Sequence, residues 1–247
     1  MRIISWNINS IAKRFDEVKE LIEQYSPDFL CLQKVRCKDN RERFNINGYV
    51  LLSSQQDIGD WSGVMVYAKS SMAEAKRIMT PDLSINGHLQ TLDCNSFALL
   101  NTYVPYGNQQ VEGAVDYRKQ WDVAYRDFVK DLSGRHPIII CGDLNVVHTQ
   151  FDTCERKLEL ARANFTKWER DNFNVLLADC DLVDAYRVLH PTEKAVTYYG
   201  AWRHTKLGNR IDYFLVSRSL MQFIESAEIL TDFGTGQSVP ITLELSL

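Results

Sequence analysis

The sequence predicts an α/β protein in which two stacked β-sheets are covered by helices, and three observations carry that expectation. Short apolar, β-branched or aromatic runs recur along the whole chain and outnumber the helical segments. Amphipathic periodicity appears in both halves, which fits helices laid over two sheets better than a single parallel sheet. No Pro/Ser/Gly-rich linker, repeat or low-complexity tract divides the chain, so residues 1–247 read as one domain. With 45% hydrophobic and 24% charged residues, the composition is that of an ordinary globular chain able to bury a full core.

The elements follow in order. Ile3–Ile8 is the first strand, and Phe15–Tyr25 is a helix because Val18, Leu21, Ile22 and Tyr25 fall on one face. Phe29–Gln33 reads as a buried strand that runs into the charged loop beginning at Lys34. Gly63–Ala68, His88–Leu92 and Phe97–Val104 are the next strands. Asp116–Leu132 is helical, with Trp121, Tyr125, Phe128, Val129 and Leu132 as its apolar stripe. Pro137–Cys141 is a strand, and Lys167–Asp179 a helix with Trp168, Phe173, Leu176 and Leu177 on one face. Ile211–Val216 and Val239–Leu245 complete the strand set.

Lys and Arg number 28 against 32 Asp and Glu, a net charge of −4, so no global positive field advertises nucleic acid and any polyanion site must be a local patch. The six cysteines show no CxxC spacing, and Cys31 and Cys141 lie inside apolar runs where reduced thiols are the usual occupants. Met1 leads directly into a strand and no apolar run approaches ~20 residues, which predicts a cytoplasmic protein without membrane contact.

Polar side chains break out where strands end: Asn7 and Asn9, Asn101 and Tyr103, Asp143 with Asn145 and His148, and Asp212. Each alone is more simply a turn former or helix cap. Asp143-x-Asn145 after the run PIIICG says more, because two short polar groups point the same way in a geometry suited to a hydrated metal or a positioned water. Asp212, flanked by apolar sequence, needs a partner.

Taken in order and spacing, IISWNINS, DFLCLQ, SGVMVYAK, LLNTYVP, DYRKQWDVAYRDFVKDL, PIIICGDLNVVHT, NFTKWERDNF, RIDYFLVS and PITLEL make the chain similar to the exonuclease III and apurinic/apyrimidinic (AP) endonuclease family. The resemblance implies a four-layer α/β sandwich with the site at one end of the paired sheets. It also implies hydrolysis of a DNA phosphodiester assisted by Mg²⁺ or Mn²⁺, in repair of abasic sites or 3′ ends. By resemblance, Asn7 matches the metal-site asparagine, Tyr103 the tyrosine on the scissile phosphate, and Asp143 the aspartate that positions the attacking water. Asn145 matches the neighbour that holds the phosphate, and Asp212 the aspartate that supports a histidine.

Six positions depart from the pattern, two of them Arg162 in place of an asparagine and Asn164 in place of a glycine. Lys34 stands where the family has a metal-binding glutamate, and Gln237 and Ser238 stand where it has an aspartate and the histidine. Asn209 replaces an aromatic wall of the pocket for the flipped abasic sugar, while Tyr198 keeps the opposite wall. An ammonium ~4 Å from a divalent cation is repelled by several kcal/mol at an effective dielectric of about 20. Loss of a preorganised donor such as the histidine costs on the order of 10²–10³ in rate.

The expectation is therefore a nucleic-acid-binding protein with weak or no nuclease activity and weak or absent metal binding. An active metal-dependent repair nuclease with a rearranged site is the alternative, and a protein-interaction module the third reading. Lys34 either pairs with Asp143 and neutralises a bound phosphate or leans into solvent. Lys34, Arg36, Tyr198 and Arg210 are the expected substrate-binding set, within basic loops (Lys34 to Arg43, Arg203 to Arg210) interleaved with Trp61, Tyr199 and Trp202. DNA is the expected partner, RNA and a protein partner stay open, and the chain is expected to be a monomer.

Overall fold

The computed structural model describes residues 1–37, 41–55, 63–72, 76–78, 88–155, 162–200, 204 and 207–247; Lys38, Trp61, Trp202, Arg203 and Lys206 of the expected basic and aromatic loops lie outside them. Twelve strands among the described residues form two six-stranded mixed sheets. In the first the spatial order is β11 (Ile224–Ile229), β12 (Ile241–Leu245), β1 (Arg2–Asn7), β2 (Phe29–Gln33), β4 (Val64–Lys69) and β3 (Tyr49–Gln55). In the second it is β5 (Lys76–Ile78), β6 (Leu89–Asp93), β7 (Ala98–Tyr103), β8 (Ile138–Asp143), β10 (Asp212–Ser217) and β9 (Leu182–Asp184). β1 and β2 are parallel, as are β7 and β8, and every other pair is antiparallel.

Strand alternation divides the apolar residues into three interfaces and so builds four layers. Ile3, Phe29, Cys31 and Val66 face Leu99, Ile139, Cys141, Phe214 and Val216 between the sheets. On the outer side of the first sheet, Ile4, Trp6, Leu30, Leu32 and Tyr67 pack under Val18, Leu21 and Ile22 of α1 (Ile11–Tyr25). On the outer side of the second, Leu100, Ile138, Ile140 and Tyr213 pack under α2 (Ala114–Ser133) and α3 (Lys167–Asp179), through Trp121, Tyr125, Val129, Phe173 and Leu176. None of the six cysteines is in a disulfide, and burial pushes the pKa of the Cys31 thiol well up. None of the described helices is long and apolar enough to cross a membrane.

Each of the eight expected strands forms, and all eight are interior strands of the sheets. The four strands not expected from the pattern are the four edges: β3, β5, β9 and β11. An edge strand has one neighbour and keeps a more polar sequence, as IESAEI in β11 shows, or is only three residues long, as in β5 and β9. The first helix starts four residues before the expected Phe15, and non-helical Arg14 (φ −128°, ψ 16°) interrupts it there. A short helix, α4 (Ala185–Leu189), was not expected.

Candidate functional site

Along the inner faces the sandwich changes from apolar to polar toward one end. Ile3, Ser5 and Asn7 share the inner face of β1, as Phe29, Cys31 and Gln33 do on β2, with Asn7 opposite Gln33 in register. From the other sheet come Leu99, Asn101 and Tyr103, then Cys141 and Asp143, then Phe214 and Asp212. The middle rung is a buried bolt. Gln33 donates to Ser5 Oγ at 2.9 Å and to Asn101 Oδ1 at 2.7 Å, while Asn101 donates to the Leu32 and Met65 carbonyls at 3.2 and 3.1 Å. Asn101 therefore joins the two sheets below the site instead of lining it.

The last rung brings Asn7, Tyr103, Asp143, Asn145 and Asp212 together at the strand ends. Asp143 closes β8 immediately after Gly142, whose φ of +132° and 1.9 Å gap from a built Cβ to the Thr102 carbonyl oxygen admit no side chain. Asn7 donates its amide to Asp143 Oδ2 at 2.7 Å, and the Asn145 backbone N–H donates to Asp143 Oδ1 at 3.0 Å. Asn145, in the left-handed region at φ 47°, donates its side-chain amide to the Val104 carbonyl at 2.7 Å.

Lys34 enters this corner from the loop after β2. Its Nζ lies 3.7 Å from Asp143 Oδ2 and 4.7 Å from the Tyr103 ring centroid, and 21% of its side chain is exposed. Of the two orientations the sequence left open, the inward one is observed. The backbone is forced to deliver it: Lys34 and Arg36 hold φ of 51° and 47°, each a conformation that costs a non-glycine residue about 1–2 kcal/mol. Ser10 N–H on the Lys34 carbonyl (2.8 Å), Ile11 N–H on that of Val35 (2.9 Å) and Val35 N–H on that of Gly63 (3.1 Å) hold the loop in place. Burial disfavours the ammonium, but the Tyr103 oxygen and the Asp143 carboxylate outweigh it and raise the Lys34 pKa. Burial lifts the Asp143 carboxyl, and Lys34, Asn145 and Asn7 pull against the rise.

Asp212 pairs with Asp143 across β8 and β10. Its backbone N–H reaches Thr197 Oγ1 at 3.1 Å, but neither carboxylate oxygen has a hydrogen-bond partner, and the residue is 3% exposed. Burial and then the charge of Asp143 push its pKa up to about 8, well above the usual carboxylate range. Ser238 is buried in the bridge between its backbone and Tyr198, with its carbonyl accepting from Trp6 Nε1 at 3.2 Å. Gln237 is exposed and receives the Tyr199 N–H on its carbonyl at 2.7 Å. Asn7 Oδ1 is also buried without a partner. No cluster of three or more His, Cys, Asp or Glu able to hold a metal ion occurs among the described residues.

The remaining expected residues divide. Tyr198 lies beside the corner, paired through its backbone to Asn209 on one side and Ser238 on the other. Asn209 accepts from Thr153 Oγ1 at 2.7 Å, and Arg36 is half-buried two residues beyond Lys34. Arg210 corrects the sequence reading. It is 1% exposed, donating to Asp152 Oδ1 at 2.7 Å and forming an ion pair with Asp184 at 2.5 Å, so it is an internal tie and not a substrate contact. His148 is bonded to Asn174 of α3 at 2.8 Å.

Two contributors were missed. Buried Arg118 donates to the carbonyls of Pro105 (2.8 Å), Leu144 and Asn145 (both 3.3 Å), clamping the exits of β7 and β8 that carry Tyr103, Asp143 and Asn145. Its position three and seven residues before Trp121 and Tyr125 places it on the buried face of α2, a charge on an apolar stripe that the sequence displays. His88 stacks on Tyr103 with ring centroids 5.2 Å apart and planes at 13°.

Comparison with known proteins follows the same lines. Residues 4–228 match the Endonuclease/Exonuclease/phosphatase family. The chain is 29% identical to an exodeoxyribonuclease of Bacillus subtilis over the whole of both chains. It is 33% identical over 238 residues to a DNA-(apurinic or apyrimidinic site) endonuclease of Dictyostelium discoideum, covering 91% of this chain and 64% of that one. Among solved structures, a 3′ phosphatase from Neisseria bound to product DNA hairpin superposes with a TM-score of 0.88 at 23% identity over all of both chains. An AP endonuclease from Archaeoglobus fulgidus gives 0.84 at 22%, also over the full lengths. At such identities the structural likeness speaks for the fold.

Proposed function

Because the chain belongs to the Endonuclease/Exonuclease/phosphatase family and, within it, to the exonuclease III and AP endonuclease group of DNA repair nucleases, we propose that it binds nucleic acid at the phosphate corner of that scaffold with weak or no hydrolysis. The carrying observation is the Lys34 ammonium, 3.7 Å from Asp143 Oδ2, where the resemblance implies a metal-binding carboxylate. Mg²⁺ and Mn²⁺ are hard cations that take anionic oxygens. Here the candidate carboxylate Asp143 already faces an ammonium. The residues present do not fit a divalent ion in the family's mode.

What remains is a binding surface. Lys34 can turn its charge from Asp143 to a phosphate oxygen, since a lysine binds phosphate as a point charge. Tyr103, whose ring centroid lies 4.7 Å from the Lys34 ammonium, supplies an aromatic edge beside it. Ser238 makes no hydrogen bond to the Asp212 carboxylate and so does not take over the place expected of the histidine. Six cysteines outside any disulfide suit a reducing cytoplasm.

The test is a labelled duplex with one abasic-site analogue, incubated with Mg²⁺, Mn²⁺ or EDTA. A Lys34→Glu, Gln237→Asp, Ser238→His triple variant runs alongside. The expected result is binding without cleavage by the natural protein and cleavage by the triple variant. EDTA-sensitive cleavage by the natural protein would overturn the reading in favour of a repair nuclease with a rearranged metal site. Two observations favour that second reading: the full-length similarity to an exodeoxyribonuclease, and the buried, unpartnered Asn7 Oδ1 and Asp212 carboxylate oxygens.

A further inference from the structure

The loop that leads into Ser238 is buckled to the first helix by side chains outside the corner. Glu17 of α1 accepts the Thr235 backbone N–H on Oε2 at 2.8 Å and the Thr235 hydroxyl on Oε1 at 3.0 Å. Arg14 closes the buckle, donating to Glu17 Oε1 at 2.7 Å and to Thr235 Oγ1 at 3.1 Å. The break in α1 falls at Arg14, one of the two side chains that reach the loop. We propose that Glu17 is a positioning residue for nucleic-acid binding: by holding residues 234–236 it sets the backbone ribbon that carries Tyr198. The inference rests on the nucleic-acid-binding reading above.

The contacts from buckle to ribbon are continuous. Two residues past Thr235, the Gln237 carbonyl accepts the Tyr199 N–H at 2.7 Å, and the Val239 N–H donates to the Thr197 carbonyl at 2.9 Å. On its other side Tyr198 exchanges two backbone hydrogen bonds of 2.9 Å with Asn209, so it is the middle of three bridged segments. Thr197 Oγ1 accepts the Asp212 N–H at 3.1 Å and ties that ribbon to β10. The loop itself is seated on Trp6. A Cβ on Gly234, at φ +71°, would lie 3.0 Å from both the Trp6 ring and Glu17 Oε2, and Trp6 Nε1 donates to the Ser238 carbonyl at 3.2 Å.

Exposed ion pairs contribute little, but Arg14 and Glu17 are each only 21% exposed. The Glu17 carboxylate takes three donors, two of them from a loop 218 residues away in sequence. Charge also gives the proposal a sign. Glu17 is an anion, and by field alone its removal would leave binding of a polyanion unchanged or tighter. A residue that positions the ribbon has the opposite effect: its removal weakens binding.

The experiment is fluorescence anisotropy in EDTA with the same labelled abasic-site duplex, with urea unfolding of each variant alongside. Glu17→Ala should weaken binding on the order of fivefold. Thr235→Val should weaken it in the same direction, and Glu17→Gln, which keeps an acceptor for the Thr235 N–H, should retain most of it. Asp16→Ala removes the same charge from the exposed neighbour on α1 and should bind as the natural protein does or tighter. The Trp6 indole N–H resonance, which reports the Ser238 carbonyl, should shift in Glu17→Ala and stay in place in Asp16→Ala. Unchanged or tighter binding by folded Glu17→Ala, or an unmoved Trp6 resonance, would overturn the inference and leave nucleic-acid binding intact. Should Glu17→Ala not fold, Thr235→Val decides by the same criterion. Failure of the natural protein to bind would overturn the binding reading and this inference with it.

Discussion

Replacing Asp212 by asparagine should stabilise the protein, and by an amount that grows with pH. The side chain is 3% exposed, both carboxylate oxygens lack partners, and its pKa is pushed up to about 8 by burial and by Asp143 across the strand pair. An unfolded aspartate titrates near 3.9, and each pH unit of difference corresponds to about 1.4 kcal/mol. The sign is the reverse of a salt-bridged aspartate. Between pH ~4 and about 8 the native state keeps a proton that the unfolded state releases, so stability falls as pH rises through that window and levels off above it.

Asparagine is close in shape to the protonated acid and carries no such slope. The stability gap between Asp212→Asn and the natural protein should therefore widen by up to about 3 kcal/mol from pH 5 to pH 7. Because Asp143 lies on the neighbouring strand, the titration belongs to the pair, and the measured slope is shared between them. Urea unfolding at pH 5, 6, 7 and 8, with both proteins fitted to the same m-value, reads the gap directly. A gap that stays constant or narrows with pH would mean that Asp212 is ionised in the native state, and the assignment of a neutral acid would be wrong.

Three further outcomes follow from the same geometry. Arg210→Met should cost about 3–5 kcal/mol in urea unfolding, because it leaves Asp152 and Asp184 buried without that guanidinium, while nucleic-acid affinity of the folded protein stays unchanged. Lys34→Met should weaken binding to any sequence and reduce the slope of log affinity against log salt by about one, measured by anisotropy between 50 and 200 mM salt. Gly142→Ala should yield no folded protein by circular dichroism, since its Cβ would meet the Thr102 carbonyl at 1.9 Å in a backbone conformation closed to alanine.

How much of this was legible depended on how many neighbours a residue has. The eight interior strands announced themselves because burial on both faces demands continuous apolar runs; the four edges did not, because half their surroundings are solvent or loop. The same limit applies to charges. Arg210 reads as part of a basic loop, and the carboxylates that absorb it, Asp152 and Asp184, lie 58 and 26 residues away in sequence. Only folding brings them together. Arg118 was the more accessible case, since its helical spacing from Trp121 and Tyr125 already placed a cation among buried rings.

Asp212 shows where pattern and physics part. The sequence placed a carboxyl group amid apolar residues and so demanded a partner, yet the fold supplies none to its oxygens. The demand comes from the cost of burying a charge, and it can be met by removing the charge as well as by pairing it. With serine at 238 the nearby backbone offers no imidazole, and Asp143 already engages Lys34, so the proton is the partner that remains. The substitutions at 34 and 238 thus belong together: the first gives Asp143 an ammonium, and the second leaves Asp212 to be neutral. On the proposed reading, the Lys34 ammonium offsets the Asp143 carboxylate at this end of the sandwich and lowers the negative charge offered to a divalent cation. On that reading a phosphate would compete with Asp143 for Lys34.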